Sequence, residues 1–145
     1  MTCIAWDGKT LAADRQGTNN GLKILCTKIK RLKGGAVVAF TGELEMGIEL
    51  AKWWEDGADP EKWPSYQATD DWTRMIIAQD GHVSVYEKRP IPQPVEDPFA
   101  AWGSGRDFAI GALAMGADAR TAVGIASRFN TGSGMGIDSF EVGNG

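Results

Sequence analysis

Thr2 is the residue of this chain whose position could do chemistry. It follows Met1 and opens a short predicted hairpin, Cys3-Ile4-Ala5-Trp6-Asp7-Gly8-Lys9-Thr10-Leu11-Ala12-Ala13-Asp14. Asp7-Gly8 is a strong two-residue turn signal, and folding there pairs residues whose numbers add to about fifteen or sixteen. That register sets Thr2 beside Ala13 or Asp14 on the facing strand. With Met1 removed, Thr2 would carry a hydroxyl and a free α-amine next to an inward-leaning carboxylate. The amine could then act as general base for its own hydroxyl, which is the logic of an N-terminal nucleophile. Its ordinary pKa of about 7.7–8.0 suits proton traffic near neutrality. Cys3, as the next residue on the strand, should point to the opposite face.

Other chemistries find little support. His82 follows the Asp80-Gly81 turn with no second ligand near it, so it reads as a solvated turn histidine and no metal site is expected. Gly132-Ser133-Gly134-Met135-Gly136 lacks the lysine of a phosphate loop and no helix signal follows it. Gly103-Ser104-Gly105 does precede a predicted helix, but one such tripeptide is a weak nucleotide signal, and no cofactor is expected. The net charge of −4 argues against a nucleic-acid surface. The one basic run, Lys28-Ile29-Lys30-Arg31-Leu32-Lys33, alternates with apolar residues like a half-buried strand. No apolar stretch nears the roughly 20 residues of a membrane span, and the N-terminus lacks the pattern of a signal peptide. Cys3 and Cys26 make no disulfide framework and read as buried reduced thiols of a cytoplasmic protein.

The elements that must position Thr2 follow from pattern. One domain, residues 1–145, fits the length. After the hairpin, Gln16 to Gly21 reads as a turn-forming loop, residues 22–32 as one or two strands, and Ala36 to Phe40 as a buried strand. Residues 42–55 read as a helix with Leu44, Ile48 and Ala51 on one stripe and Met46, Leu50 and Trp53 on its neighbour. That apolar face is too wide for one sheet to cover. With Trp53, Trp54 and Trp63 clustered near its end, it predicts a homo-oligomer. Prolines limit 57–71 to helical turns. A second hairpin turns at Asp80-Gly81, residues 89–98 form an irregular loop, and 99–102 a short strand. Helices follow over 106–115 and 119–129, the latter capped by Asp118 with Ala122, Val123, Ala126 and Phe129 on its apolar side, then a strand over 137–142. Hairpins and grouped helices favour an α+β architecture.

Five segments in order resemble proteasome β-type subunits and the bacterial ATP-dependent heat-shock peptidase. They are Thr2-Cys3-Ile4-Ala5 with Gly8 to Asp14; Lys28-Ile29-Lys30-Arg31-Leu32; Ala39-Phe40-Thr41-Gly42; Trp102-Gly103-Ser104-Gly105; and Asn130-Thr131-Gly132-Ser133-Gly134. The resemblance implies a four-layer α-β-β-α sandwich and a threonine-type N-terminal-nucleophile hydrolase that cleaves peptide bonds through an acyl-enzyme on Thr2. In that pattern Lys28 supplies a cation that lowers the hydroxyl pKa, Asp14 orients the lysine, and the Gly42 N–H is the oxyanion donor. Ser104 hydrogen-bonds near the terminal amine and Ser133 is a supporting hydroxyl. Asn130 stands where many relatives carry Asp. The first hairpin is about four residues shorter than in the larger subunits, an even number that keeps Thr2 on its face. The partners the resemblance implies are a peptide or protein substrate, further copies of the chain in a ring, and an ATP-dependent unfoldase. The alternatives are an amide hydrolase of the same fold acting on non-peptides and an inactive shell subunit.

Overall fold

Strands that are apolar on both faces need cover on both, and here two antiparallel sheets supply it to each other. The computed structural model describes residues 2–68 and 72–143. In chain order the strands are β1 (Ile4–Trp6), β2 (Thr10–Asp14), β3 (Gln16–Asn19), β4 (Leu22–Leu25), β5 (Ile29–Arg31), β6 (Val37–Thr41), β7 (Arg74–Gln79), β8 (His82–Tyr86), β9 (Gln93–Pro94), β10 (Ala100–Trp102) and β11 (Ile137–Glu141). The α-helices are α1 (Leu44–Glu55), α2 (Arg106–Ala114) and α3 (Ala119–Phe129). One sheet has the order β10-β1-β2-β11, the other β5-β6-β7-β8-β9, and β3-β4 forms a separate ribbon.

Three apolar layers bind this stack. Ile4, Trp6, Leu11 and Ala13 of the first sheet pack on Ile29, Val37, Ala39, Ile76, Val83 and Val85 of the second. The outer face of the first sheet, with Cys3, Ala5 and Ala12, meets Ala109 and Leu113 of α2 and Ala122, Val123 and Ala126 of α3. The outer face of the second, with Val38, Met75 and Ile77, meets Leu50, Ala51 and Trp53 of α1. The resulting order is helix, sheet, sheet, helix. Alanine-rich α2 and α3 lie close to the sheet because their facing residues are small. Asp118 caps α3, its carboxylate accepting the Thr121 N–H at 2.8 Å.

Several expectations are corrected. The first hairpin pairs Ile4 with Ala13 and Trp6 with Leu11, so Asp14 continues the ladder opposite Cys3 rather than Thr2. The cause is the turn. Asp7 does not sit at the tip of a two-residue loop; its carboxylate accepts the Lys9 and Thr10 N–H groups at 2.9 and 2.7 Å and so closes a longer one. Residues 16–19 are a strand, not a loop, because Asn20 and Gly21, both at positive φ, make a tight hairpin turn to β4. Cys26 lies outside any strand and is only half-buried. On α1, Leu44 and Ile48 are exposed while Gly47 joins Leu50, Ala51 and Trp53 in the buried face. Phe129 is exposed on α3 and stacks on Phe108 of α2.

The tryptophans find their cover within the chain. Trp53 and Trp63 pack edge to face, with centroids 4.7 Å apart, and Tyr86 joins them. The Trp53 indole donates to the Asp59 carbonyl. The 3-10 turns Pro60–Lys62 and Ser65–Ala68 supply this cover where no further helix lies. Exposed apolar residues remain at Leu44 and Ile48 of α1, at Leu22, Ile24 and Leu25 of the ribbon, and at Phe108, Met115 and Phe129 on the side of α2 and α3.

Candidate active site

The end of β2, the start of β5 and the end of β6 converge on one cleft. Asp14 closes β2 and is fully buried. A carboxylate there needs hydrogen-bond donors around it, and it has them. Oδ1 accepts the Cys3 N–H at 2.9 Å and the Lys28 ammonium at 2.8 Å. Oδ2 accepts the Gly134 N–H at 3.0 Å and the Gln16 N–H at 3.2 Å. These four donors fill its lone-pair sites. Lys28 precedes β5, and its side chain is only 6% exposed. A buried ion pair survives when every remaining donor and acceptor is satisfied, as for this carboxylate.

Thr2 is 4% exposed and lies just ahead of β1. Its nitrogen donates to Ser104 Oγ at 3.3 Å, and its carbonyl accepts the Gly105 N–H at 3.1 Å. Gly103 has φ +94°, and a Cβ on it would overlap the Thr2 carbonyl. Glycine is required there because the backbone of the tripeptide presses directly on Thr2. The loop that follows α3 closes the other side. Asn130 Oδ1 accepts the Gly132 N–H at 2.6 Å, the Thr131 carbonyl accepts from Gln16 Nε2 at 3.1 Å, and Gly134 reaches Asp14. The amide of Asn130 thus shapes the loop without a charge. Ser133 is 3% exposed, and its hydroxyl has no hydrogen-bond partner among the described residues.

Thr2, Lys28 and Gly42 line the same cleft, of about 560 Å³. Its walls are β3 on one side and the residues that open α1, Glu43 to Glu45, on the other, with Ile24, Cys26 and Phe40 between. Gly42 sits at φ +107° where β6 leaves the sheet for α1. N–H groups at such a helix entry are unpaired within the helix and favour negative charge. Cys3, as expected, faces the helical layer instead. Burial foremost, with the Asp14 carboxylate adding and the Lys28 cation opposing, pushes its thiol up to about 12, so it carries almost no thiolate near neutrality.

Of the residues singled out in the sequence, Thr2, Asp14, Lys28 and Ser104 are linked by contact or share the cleft, Gly42 lines it, and Asn130 and Ser133 stand in the closing loop. Removal of Met1 concerns a residue outside those described. Gln16 was missed. It contributes to the Asp14 cage and pins the closing loop, and nothing in an isolated glutamine of a turn-like stretch signals this.

Comparison with solved structures finds the same fold over at least 98% of the chain. Thiobacillus denitrificans BPH in complex with epoxomicin matches with a TM-score of 0.75 at 22% identity, covering 100% of both chains. A second structure of Thiobacillus denitrificans BPH gives 0.73 at 23% identity over 99% of this chain and 98% of the other. Eukaryotic HslV from Trypanosoma brucei gives 0.72 at 20% identity over 98% of each. No family model matches the chain, and no curated protein matches it in sequence. The fold is therefore the α+β sandwich of antiparallel sheets that these structures share.

Proposed function

We propose that the chain is a threonine peptidase whose nucleophile is Thr2, exposed as an N-terminus by loss of Met1. The observation that carries this reading is Lys28, held by the buried Asp14 and lining the cleft that Thr2 and Gly42 also line. In the reaction, Thr2 Oγ attacks the scissile carbonyl and passes its proton to the Thr2 amine. The Lys28 cation, held by Asp14, favours the developing alkoxide. The tetrahedral oxyanion forms against the Gly42 N–H. Collapse breaks the C–N bond, the leaving amine takes the proton, and an ester on Thr2 remains. Water, deprotonated by the same amine, hydrolyses that ester. Ser104 and Ser133 serve as hydroxyls beside the amine and its loop.

Peptide substrates suit the cleft. Among the described residues β3 pairs only with β4, so its other edge can take an extended chain as an added strand. The similarity to a protein solved with epoxomicin bound supports the same direction. Assembly into a homo-oligomeric ring served by an ATP-dependent unfoldase belongs to this reading. The test is hydrolysis of fluorogenic peptides by the native protein and by Thr2→Ala. Loss of at least about 10³-fold supports it. Undiminished hydrolysis in Thr2→Ala refutes it.

A further inference from the structure

The turn that carries Gly42 rests on a buried amide that the reaction above does not use. Gln67, in the 3-10 turn Ser65–Ala68, is 0% exposed. Its Nε2 donates to the Thr73 carbonyl at 2.6 Å and to the Glu87 carbonyl at 2.7 Å. Its Oε1 accepts the Thr73 N–H at 2.8 Å. One side chain therefore holds both backbone polar groups of Thr73 and ties the residue before β7 to the residue after β8.

Thr73 is also 0% exposed, and it lies directly against Gly42. A Cβ on Gly42 would come 2.8 Å from Thr73 Oγ1 and 3.3 Å from Thr73 Cα. Thr41 pairs with Arg74 in the β6–β7 ladder, so the next rung would set Gly42 opposite Thr73. The ladder stops there instead. Among the described residues no backbone carbonyl accepts the Gly42 N–H, which leaves it for whatever occupies the cleft. The Thr73 hydroxyl, against Met46 Sδ at 3.5 Å, fills the space beneath the turn.

We propose that Gln67 is a positioning residue for the oxyanion donor, acting through Thr73 to fix where the Gly42 N–H points relative to Thr2. The inference rests on the reading of Thr2 and Gly42 given above. Burying a whole glutamine is costly unless its amide is satisfied, and here both ends of the amide are bonded to the backbone next to the donor. A donor moved by about 1 Å loses on the order of a hundredfold in rate, and a donor removed loses about 10²–10³.

Gln67→Met keeps the length and bulk and removes the three bonds. Thr73→Ala removes the support under Gly42 and serves if Gln67→Met does not fold. Active sites are counted by labelling with a peptide epoxyketone, so that turnover is expressed per competent site. For each variant kcat should fall about ten- to a hundredfold with KM nearly unchanged. Affinity for a peptide aldehyde, whose adduct with the Thr2 hydroxyl carries the same oxyanion, should fall by the factor seen in kcat/KM. A purely structural role would lower the number of labelled sites but leave kcat per site and aldehyde affinity intact, and that result overturns the proposal. Thr2-dependent hydrolysis that both variants leave unchanged likewise overturns this proposal alone. Hydrolysis that persists in Thr2→Ala overturns the Thr2 reading and this proposal with it.

Discussion

Replacing Asp14 by asparagine should cost much more stability than removing the Lys28 charge, although the two residues form one ion pair. Asp14 accepts from three backbone N–H groups and one ammonium, two donors on each oxygen. Asparagine keeps one acceptor oxygen and turns a donor toward the other two donors. Each buried donor left without an acceptor costs about 1–3 kcal/mol, and the Lys28 cation loses its carboxylate in a site only 6% exposed. These costs overlap, and broken buried pairs are typically worth about 3–5 kcal/mol in all. Lys28→Met leaves the carboxylate with its three N–H donors and fills the same volume, so its cost should be about 1.5–3 kcal/mol, the worth of one hydrogen bond to a charged group. Urea denaturation with a constant m-value measures both. Against a total of about 5–15 kcal/mol, Asp14→Asn would bring the chain near its limit. The double variant should cost less than the sum, since the partners couple directly. A larger cost for Lys28→Met than for Asp14→Asn would refute the view that the backbone cage, rather than the lysine, is what Asp14 chiefly needs.

Other outcomes follow from the same geometry. In turnover, Lys28→Ala and Asp14→Asn should each lose orders of magnitude and their combination little more, while Lys33→Ala, at an exposed turn, should be near neutral. In the native protein at pH 8 a thiol reagent should modify Cys26, which lines the cleft, and leave Cys3 unmodified until the chain is unfolded. The Cys3 thiol titrates near its ordinary 9.0 when unfolded and at about 12 when folded. Between those values the folded chain binds more protons, so this contribution to stability is full below pH 9.0 and is lost as pH rises toward about 12. Burial raises the Tyr66 and Tyr86 hydroxyls in the same sense, so Cys3→Ala should lessen the alkaline slope without abolishing it. Light scattering at micromolar concentration should give a mass above the monomer. A charge placed at Phe129, exposed beside Phe108, should lower that mass, whereas Trp53→Ala should lower stability by about 3–5 kcal/mol. A monomer mass for the native protein would remove the assembly proposal and leave the chemistry of Thr2 standing.

Much of this arrangement was legible because local signals and long-range packing agreed. Alternation and turn residues marked the second hairpin at Asp80-Gly81, where both residues take positive φ. Asp118 announced α3. The continuous apolar run at 37–40 became a strand covered on both faces, as such runs must be. The first hairpin was misread in register because Asp7 hydrogen-bonds the backbone on the far side of its own loop, a choice that Asp-Gly alone does not reveal. Asn20-Gly21 is an equally good turn signal, but polar residues on both sides disguised β3. The ribbon is exposed along β4, so no alternation of buried and exposed residues is available to read. Trp53, Trp54 and Trp63 read as an interface cluster, yet whether their cover comes from this chain or another depends on where the 3-10 turns fall. For the proposed site, Thr2, Asp14, Lys28 and Gly42 are singled out by the order of five short segments, and the fold brings them to one place. Gln16, Gln67 and Thr73 were invisible to that reading, because uncharged side chains that bond the backbone leave no spacing rule behind.

The claim at the centre of this account is that Thr2 becomes a free N-terminal nucleophile. Intact-mass spectrometry before and after treatment with a peptide epoxyketone addresses it in one measurement, since that electrophile needs a hydroxyl and a primary amine on the same residue. The account predicts a mass lacking Met1, a stoichiometric adduct mapped to the Thr2 terminus, and no adduct on Thr2→Ala. A chain that retains Met1 and takes up no reagent, or an adduct mapped to Cys26, would contradict it.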